Sequence, residues 1–367
     1  MQTVRQYYET LHRMPECSGA EQETAAYISD VLSSLGYTPR KYACGGVSAD
    51  LVCAPDAPWI VFRADMDALP VTETAAVSFA SCRPGVMHAC GHDAHMAMLL
   101  AAAGALAGKK LPQNIRFLFQ PAEETTQGAA QMLGEGALPE TAAAIFAMHV
   151  WPGIPLGRIA ARPGAQMASS DVFRIQFSGK SVHCARRGLG CDALQAAVAV
   201  AAGLPELEKL AENDGSILFL GSLHGGRSHN IVPDSASLYG TLRTYSEPHR
   251  QAIRSALDEF ARQCAAAQGA QAAVQWEGGC PPVINDAGLV STLCALLPGS
   301  APDAEPSLAA EDFACYQQKI PGVLLWLGIG DTAPLHSPQF CLPKQVLQDG
   351  TDAWLTIAAH TWKITNR

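Results

Sequence analysis

The chain has 367 residues, more than a single hydrophobic core usually spans, so two domains are expected. It carries 34 acidic and 25 basic residues, and the net charge of −9 argues against a nucleic-acid-binding surface and against binding to anionic membranes. The longest apolar run, Ala97–Ala107, is too short to span a bilayer. These features favour a soluble, globular protein without nucleic-acid or membrane partners.

The cysteines indicate the cellular compartment of the protein. The twelve cysteines are scattered without paired spacing, and the first residues contain no apolar signal core. Such cysteines are typical of reduced thiols. We therefore expect a cytoplasmic protein in which most cysteines are core residues.

The N-terminal part predicts helices followed by strands. A helix is predicted over Val4–Met14. A second helix is predicted after Ser18-Gly-Ala-Glu21, where serine followed three residues later by glutamate matches a capping box. Strands are predicted over Asp50–Cys53 and Trp59–Ala64.

Potential ligands follow several predicted strands. They are Asp65 and Asp67 after the second strand, Glu123 and Glu124 after a strand over Asn114–Phe119, His149 after a strand over Ala142–Ala147, and His336 after a strand over Gly322–Leu327. Polar loops explain each of these residues singly. They explain the repetition poorly, because functional sites of α/β sheets lie beyond the carboxyl ends of the strands.

One stretch concentrates metal-binding chemistry. Met87–His95 contains three histidines and one cysteine just before an apolar, helix-like run over Met96–Ala107. Cys90 and His92 are separated by a glycine, which lets the backbone fold sharply so that both side chains can face one point. Thiolate and imidazole are natural ligands of zinc and similar ions. Taken alone, the stretch fits a buried cysteine beside surface histidines equally well.

The middle of the chain has a different pattern. Its predicted elements are a strand over Val172–Phe177, a helix over Asp192–Glu212, strands over Ser216–Leu223 and Ser235–Tyr245, a helix over Glu247–Ala267 and a strand over Ala270–Trp276. The order βαββαβ is the ferredoxin-like split pattern. We therefore predict an inserted domain over residues 166–277 and an α/β domain built from residues 1–165 and 278–367.

The candidate ligands outnumber the needs of one ion. They are Cys90, His92, Glu124, His149 and His336. A single catalytic zinc keeps three protein ligands and one open position, so five ligands suggest two ions that share a bridging group. Cys90 is a candidate bridge, because a metal-bound thiol is deprotonated.

Glu123 and Glu124 suggest a division of roles. Adjacent side chains point in different directions, so Glu124 can bind metal while Glu123 stays available as the general base. The alternative is a solvated acidic pair at a helix start, where the helix dipole favours negative charge.

Ten motifs, taken together in this order, resemble the aminoacylase–carboxypeptidase family of two-metal amidohydrolases, and within it the hippurate hydrolase and indole-acetyl-amino-acid hydrolase branch. The motifs are Leu11-His-Arg-Met-Pro-Glu16, Arg63-Ala-Asp-Met-Asp-Ala-Leu-Pro70, Met87–His95, Gln120–Glu124, Ala147-Met-His149, Gly179–His183, Gly226–Asp234, Gly240-Thr-Leu-Arg243, Glu311-Asp-Phe313 and Leu335-His336. They cover nearly the whole chain.

The resemblance implies an α/β fold. It consists of a zinc-peptidase-like catalytic domain, with a mixed sheet flanked by helices, and an inserted ferredoxin-like dimerisation or lid domain. The five ligands would bind two divalent ions per subunit, Zn²⁺ or Mn²⁺ with Ni²⁺ or Co²⁺ as alternatives, and Glu123 would be the general base. The resemblance also implies a homodimer.

The resemblance assigns three residues of the inserted domain to substrate. His183 would reach the partner subunit's site and stabilise the oxyanion of the tetrahedral intermediate. Asn230 and Arg243 would contact the substrate, and arginine suits a carboxylate because its planar fork matches the two oxygens. For Arg243 an ion pair on a strand face is an equal alternative, and for His183 the alternative is a turn residue.

Two departures from the family pattern matter. Asp65 stands where other branches place a histidine ligand, and His92 replaces that ligand here. Asp65 and Asp67 are therefore expected to orient ligands. Relatives often carry Gly-Gly before the histidine that corresponds to His183 and Pro-His a few residues after it, whereas this chain has Ser181-Val182 and Arg187-Gly188. Arg186-Arg187 therefore either change the substrate pocket towards acidic groups or form a solvated basic turn.

These observations predict a metal-dependent hydrolase that cleaves the amide bond of small-molecule N-acyl amino acids. A dipeptidase or carboxypeptidase using the same site is the nearest alternative. A catalytically silent homologue is disfavoured by the presence of Glu123 with all five ligands. A structural zinc protein is disfavoured because the ligands are spread from Cys90 to His336.

Overall fold

The computed structural model describes residues 2–211, 215–297 and 299–360. This part of the chain divides into two compact units. The first contains the chain up to Gln166, Val283–Pro306 and the chain from Glu311 onward, and the second contains Met167–Pro282 and Ser307–Ala310. The second unit thus reaches past residue 277, the end of the predicted insert, and includes a short segment outside it.

The strands of the described residues are β1 Arg40–Lys41, β2 Val47–Leu51, β3 Trp59–Asp65, β4 Asn114–Gln120, β5 Ala142–Trp151, β6 Ile159–Ala160, β7 Gly164–Met167, β8 Ser170–Ser178, β9 Ile217–Gly225, β10 Ser235–Arg243, β11 Gln271–Cys280, β12 Val283–Asn285 and β13 Gly322–Gly328. The α-helices are α1 Val4–Arg13, α2 Gln22–Ser34, α3 His92–Leu106, α4 Gly128–Gly134, α5 Ala193–Glu208, α6 Glu247–Ala267, α7 Ala287–Leu296, α8 Ala314–Gln317 and α9 Gln345–His360. Short 3-10 helices span Cys184–Leu189 and Lys209–Ala211, and Glu212, the predicted last residue of its helix, lies outside the described residues.

A seven-stranded mixed sheet organises the first unit. Its order is β1-β2-β4-β3-β5-β13-β6, and the four central strands β4, β3, β5 and β13 are parallel. The outer strands β2 and β6 pair antiparallel with β4 and β13. The predicted α/β class with a mixed sheet and flanking helices is confirmed. The parallel centre matters for function, because it brings the carboxyl ends of four strands to one edge.

Helix α3 lies at the centre of the hydrophobic core of the first unit. It is apolar around most of its circumference, as expected for a helix buried on all sides, and it packs against α1, α9 and β3. Aromatic rings fill the space beside it, with Phe62 contacting Phe117, Phe146 and Trp354. The first residue of this rigid helix is His92, so the helix fixes the position of one candidate ligand.

Three local predictions are wrong. The strand predicted over Asp50–Cys53 lies instead over Val47–Leu51. Ser18 and Glu21 do not form a capping box, because Ser18 donates to Asp67 and Glu21 accepts from the amide of Ala122, both distant in sequence. Strand β5 also continues through Trp151, so His149 lies within the strand and not beyond it.

The second unit has its own sheet and its own core. Its antiparallel sheet has the order β11-β8-β10-β9, and α5 and α6 pack on one face of it. The elements β8, α5, β9, β10, α6 and β11 follow one another as strand, helix, strand, strand, helix, strand. Phe173, Ile175 and Leu238 are among its fully buried residues.

Among the helices formed by the described residues, none combines the length and the apolar character needed to cross a bilayer.

Candidate metal centre

Six candidate residues converge at the carboxyl edge of the parallel strands in the first unit. Three overlapping groups have all their ligand atoms within 4.8 Å of one another: Cys90 with His92 and His149, Cys90 with Glu124 and His336, and His92 with Glu123 and Glu124. The five predicted ligands and the predicted base therefore lie together. Cys90 belongs to two of the groups, one containing His149 and the other His336.

His92 has one ring nitrogen engaged and one without a partner. Its Nδ1 lies 2.8 Å from the carbonyl oxygen of Asp67, to which it donates, so the neutral ring carries its lone pair on Nε2. Nε2 is buried and has no hydrogen-bond partner among the described residues, and the same holds for Oε1 of Glu124, 3.9 Å away. Buried polar atoms without partners are rare and destabilising. A cation between these two atoms would satisfy both, so the donor set fits a metal ion.

His149 also has its Nδ1 engaged by a backbone carbonyl oxygen, and its Nε2 faces Cys90. Its Nδ1 donates to the carbonyl oxygen of Val150 at 2.7 Å, and its Nε2 lies 3.4 Å from Sγ of Cys90. Burial raises the pKa of the Cys90 thiol, and the charge of Glu124 raises it further. The thiol is thus neutral without a cation, and a metal ion is the group that would deprotonate it.

His336 forms the open side of the cluster. Its backbone has φ +65°, an uncommon conformation for a residue other than glycine, and its amide donates to the carbonyl oxygen of Ala89 at 2.8 Å. The side chain is 54% exposed and places Nε2 3.5 Å from Oε1 of Glu124. A ligand with one exposed side leaves room for substrate.

Glu123 is buried in an acidic environment. Burial raises its pKa well above the usual range, and the charges of Glu311, Glu124 and Asp312 raise it further. Such a carboxylate is a stronger base than an exposed one.

The sequence analysis did not predict the cluster of buried charged residues next to Glu123. The fully buried Arg63 contacts Asp65 at 2.7 Å, Glu311 at 2.9 Å and Asp312 at 3.1 Å. The signal was present, because Arg63 interrupts an apolar strand where a charge needs buried partners.

Asp65 and Asp67 contact ligands in different ways. Asp67 accepts from His92 through its carbonyl oxygen and from the amide of Glu124 through Oδ2 at 3.0 Å. Asp65 places Oδ1 2.6 Å from Nδ1 of His95. Burial opposes ionisation of Asp65, but His92, His95 and Arg63 outweigh it and hold its pKa well below the usual range.

The remaining candidates belong to the second unit. His183 is exposed, and its Nδ1 accepts from the amide of Ala185 at 3.2 Å. The amide of Cys184 donates to the carbonyl oxygen of Asn230 at 2.9 Å, which keeps Asn230 beside His183. Arg243 donates to the carbonyl oxygen of Ser169 at 3.4 Å, and no carboxylate among the described residues is recorded in an ion pair with it.

Arg186 and Arg187 are exposed on the 3-10 helix that follows His183, and among the described residues no hydrogen bond or ion pair of their side chains is recorded.

Comparison with known proteins identifies the class. The profile of peptidase family M20/M25/M40 matches residues 61–360, and the chain belongs to this family. It is therefore an enzyme, a metal-dependent hydrolase, and the predicted membership in the aminoacylase–carboxypeptidase group of amidohydrolases is confirmed.

Similar proteins cover nearly the whole chain. An N-acetylcysteine deacetylase of Bacillus subtilis is 36% identical over 349 residues, which are 92% of this chain and 91% of that protein. An N-acetyldiaminopimelate deacetylase of Streptococcus uberis is 33% identical over 358 residues, with 92% and 94% coverage. The crystal structure of a dinuclear metal-binding M20 peptidase from Bacillus subtilis superposes with a TM-score of 0.86 at 33% identity and covers 98% of this chain and 97% of its own.

Proposed function

We propose that this enzyme hydrolyses the amide bond of N-acyl amino acids, using two divalent ions bound by Cys90, His92, Glu124, His149 and His336. The observation that carries the proposal is the pair of buried ligand atoms without hydrogen-bond partners among the described residues, Nε2 of His92 and Oε1 of Glu124, inside a cluster that contains a buried carboxylate. The two deacetylases described above, and the dinuclear relative, support the substrate class and the number of ions.

Cys90 is the proposed bridge, because it alone is shared between the groups that contain His149 and His336. When bound, the two ions would acidify water and polarise the scissile carbonyl group. Thiolate and imidazole favour Zn²⁺, and the carboxylate of Glu124 is compatible with Mn²⁺. Ni²⁺ and Co²⁺ accept the same ligand set.

Glu123 is the proposed general base. It takes a proton from the attacking water as the new bond to the acyl carbon forms. It then gives that proton to the nitrogen as the carbon–nitrogen bond breaks, releasing a carboxylic acid and a free amino acid. Its buried, acidic surroundings favour acceptance of the proton in the first step.

The test is hydrolysis of a panel of N-acetyl, N-benzoyl and indole-acetyl amino acids beside dipeptides, with protein reloaded with Zn²⁺ or Mn²⁺. We expect turnover of acyl amino acids, and a loss of about 10²–10⁴-fold in the Glu123→Gln variant with both ions retained. Glu140→Gln, at an exposed position of the same unit, is the matched control and should keep full activity. Turnover of dipeptides alone would assign the peptidase activity instead.

For the second unit we propose a dimerisation and lid role. His183 would stabilise the oxyanion in the partner subunit's site, and Asn230 and Arg243 would bind the substrate carboxylate. The exposure of His183, and the absence of a recorded ion pair for Arg243 among the described residues, support these roles.

Mixing two inactive variants tests the exchange between subunits. A heterodimer of His183→Gln and Glu123→Gln chains contains one site with both groups intact. Co-refolded or co-expressed mixtures should therefore recover about a quarter of wild-type activity if subunits pair at random. Light scattering should show a dimer for each variant, and recovery of no activity in confirmed heterodimers would reject action across the interface.

We also propose a cytoplasmic location. All twelve cysteines are free thiols in the structure, which suits a reducing compartment. Cell fractionation with thiol labelling should find the protein reduced in the cytoplasmic fraction.

A further inference from the structure

His95 lies one turn after His92 on α3 and is buried, but both of its ring nitrogens are occupied by protein groups. The amide of Val150 donates to Nε2 at 2.9 Å, so Nε2 carries no proton. The ring proton therefore sits on Nδ1 and is donated to Oδ1 of Asp65 at 2.6 Å. With its tautomer fixed in this way, His95 has no lone pair to offer a metal ion, although it lies within ligand distance of His92 and Asp65.

Asp65 is itself fixed by a hydrogen bond from Arg63. Its Oδ2 accepts from Nη1 of Arg63 at 2.7 Å, and this guanidinium is anchored further by Glu311 and Asp312. Arg63 and Asp65 are both fully buried at the end of β3, a central strand of the sheet. The acceptor for His95 is thus a charged, rigid group.

On the other side, His95 contacts the backbone next to a proposed ligand. The pairing of β3 with β5 ends where Arg63 lies opposite Ala147, so Val150 lies beyond this ladder. The amide of Val150 is bonded to His95, and its carbonyl oxygen accepts from Nδ1 of His149 at 2.7 Å. The rings of His95 and His149 are also in contact, with centroids 4.6 Å apart.

We infer that Arg63, Asp65 and His95 form a positioning chain that acts through the backbone of Val150 to aim Nε2 of His149 at the metal centre. Four hydrogen bonds of 2.9 Å or less join the chain without a break. His95 is its central positioning residue. The inference rests on the proposed function, because it takes His149 to be a metal ligand.

The positioning chain has a physical consequence for metal affinity. Val150 can turn its peptide groups only if its amide and its carbonyl oxygen give up their present partners. Strand β13 holds the other edge of β5 at this point, with Leu327 opposite Val150. Removing the nitrogens of His95 leaves the amide of Val150 without an acceptor on the side that faces His95, which loosens the peptide groups that orient His149. Loss of a group that orients a ligand weakens metal affinity by about 10- to 100-fold in general.

The experiment replaces His95 by phenylalanine, which keeps a ring and removes both nitrogens. Protein loaded with Co²⁺ reports ligand geometry through its visible absorption spectrum, and competition with a chelator gives the Co²⁺ affinity. We expect His95→Phe to change the spectrum and weaken the binding of one ion by about 10- to 100-fold. His95→Gln keeps an amide donor and a carbonyl acceptor, and should return both readouts towards those of the wild type.

Two further variants separate positioning from general instability. Asn114→Ala removes a buried side chain that bonds the backbone at Cys53 and Ala54. Asn114 begins β4, at the end of the sheet opposite the site, so this variant should be less stable but keep the wild-type cobalt spectrum. If His95→Phe does not fold, His95→Asn serves instead, because its shorter side chain cannot hold Asp65 and Val150 together.

The outcomes are distinct. If the folded His95 variants bind both ions with wild-type affinity and spectrum, the positioning chain is rejected while the metal centre stands. If the wild-type protein binds no Co²⁺, the proposed function fails and the positioning chain fails with it.

Discussion

At the scale of single residues, the hydrogen-bond partner decides what each histidine can do. His92 and His149 both give their Nδ1 proton to a backbone carbonyl oxygen, which leaves Nε2 able to bind a cation. His95 has its lone pair occupied by an amide. His12 lies between two carboxylates and has no role in binding metal. One residue type thus serves in three ways within a single core.

The surroundings of His12 predict that the free energy of unfolding depends on pH. Its Nδ1 lies 2.6 Å from Asp93 and its Nε2 lies 3.1 Å from Glu73. Burial alone would lower the pKa of His12, but the two carboxylates outweigh it and raise the pKa from 6.5 to about 9. A raised pKa means that the folded state binds its proton more tightly. The stabilisation is therefore complete below pH 6.5 and is lost as the pH rises through 9.

The His12→Phe variant tests this dependence, since Tyr8 and Phe79 already pack against the ring. Urea unfolding at pH 6 should show a large loss of free energy of unfolding relative to the wild type. The difference should shrink by roughly 3 kcal/mol at pH 10. His229→Phe, at an exposed position, should show no such change. A His12→Phe difference that is the same at both pH values would contradict the charged pair.

The sequence indicated the proposed ligands, but it could not assign the residues that support them. Glu124 and His336 were recognisable because potential ligands recur after predicted strands, and Cys90 was recognisable because it stands among histidines in Met87–His95. The partners of His95 come from β3 and β5, far away in the chain. Asp65 was expected to orient ligands. Its action through His95 depends on how β3 and β5 are aligned with each other, and no local sequence pattern determines that alignment.

At the scale of elements, apolar strands and amphipathic helices were predictable, while short edge strands were not. The strands β3, β4 and β13 lie within a residue of their predicted bounds, because each contains a largely apolar stretch that is mostly buried. The two-residue strands β1 and β6 carry no periodicity and form only because a neighbour offers backbone partners. The predicted cap at Ser18 failed for a similar reason, since a distant aspartate competes for its hydroxyl.

Gly91, which directly precedes α3, allows a prediction of how an added methyl group would affect metal binding. Gly91 has φ +89°, and a Cβ atom there would lie 2.5 Å from Cγ2 of Val150. Gly91→Ala should therefore shift Cys90 and His92 apart, abolish the binding of at least one ion and reduce activity strongly.

Gly85→Ala is the matched control. Gly85 has φ +81°, but nothing lies within 4 Å of the added Cβ. Both variants carry the backbone cost of an alanine at positive φ, roughly 1–2 kcal/mol in the free energy of unfolding. Only Gly91→Ala should lose metal, as measured by elemental analysis after dialysis. Equal metal contents in the two variants would show that the contact with Val150 does not hold the ligands in place.

At the scale of the whole molecule, metal binding and the predicted substrate contacts belong to different units. All five proposed ligands lie in the first unit, whereas His183, Asn230 and Arg243 lie in the second. Each unit has its own hydrophobic core, centred on α3 in the first and on β8 and β10 in the second. Two cores allow the two parts of the chain to respond separately to a ligand that only one of them binds.

Chelation should therefore act on one unit. A group that binds only the folded state stabilises it in proportion to the logarithm of ligand concentration over Kd, so removing the ions should destabilise the first unit. Hydrogen exchange followed by mass spectrometry, with and without a chelator, should show faster exchange in peptides covering the start of α3, the end of β5 and the loop at His336. Peptides from β8 and β10 should exchange at unchanged rates, and readdition of Zn²⁺ should restore the protection. Equal loss of protection in both units would show that the ions stabilise a single cooperative structure, and no loss in either would remove the support for metal binding in the first unit.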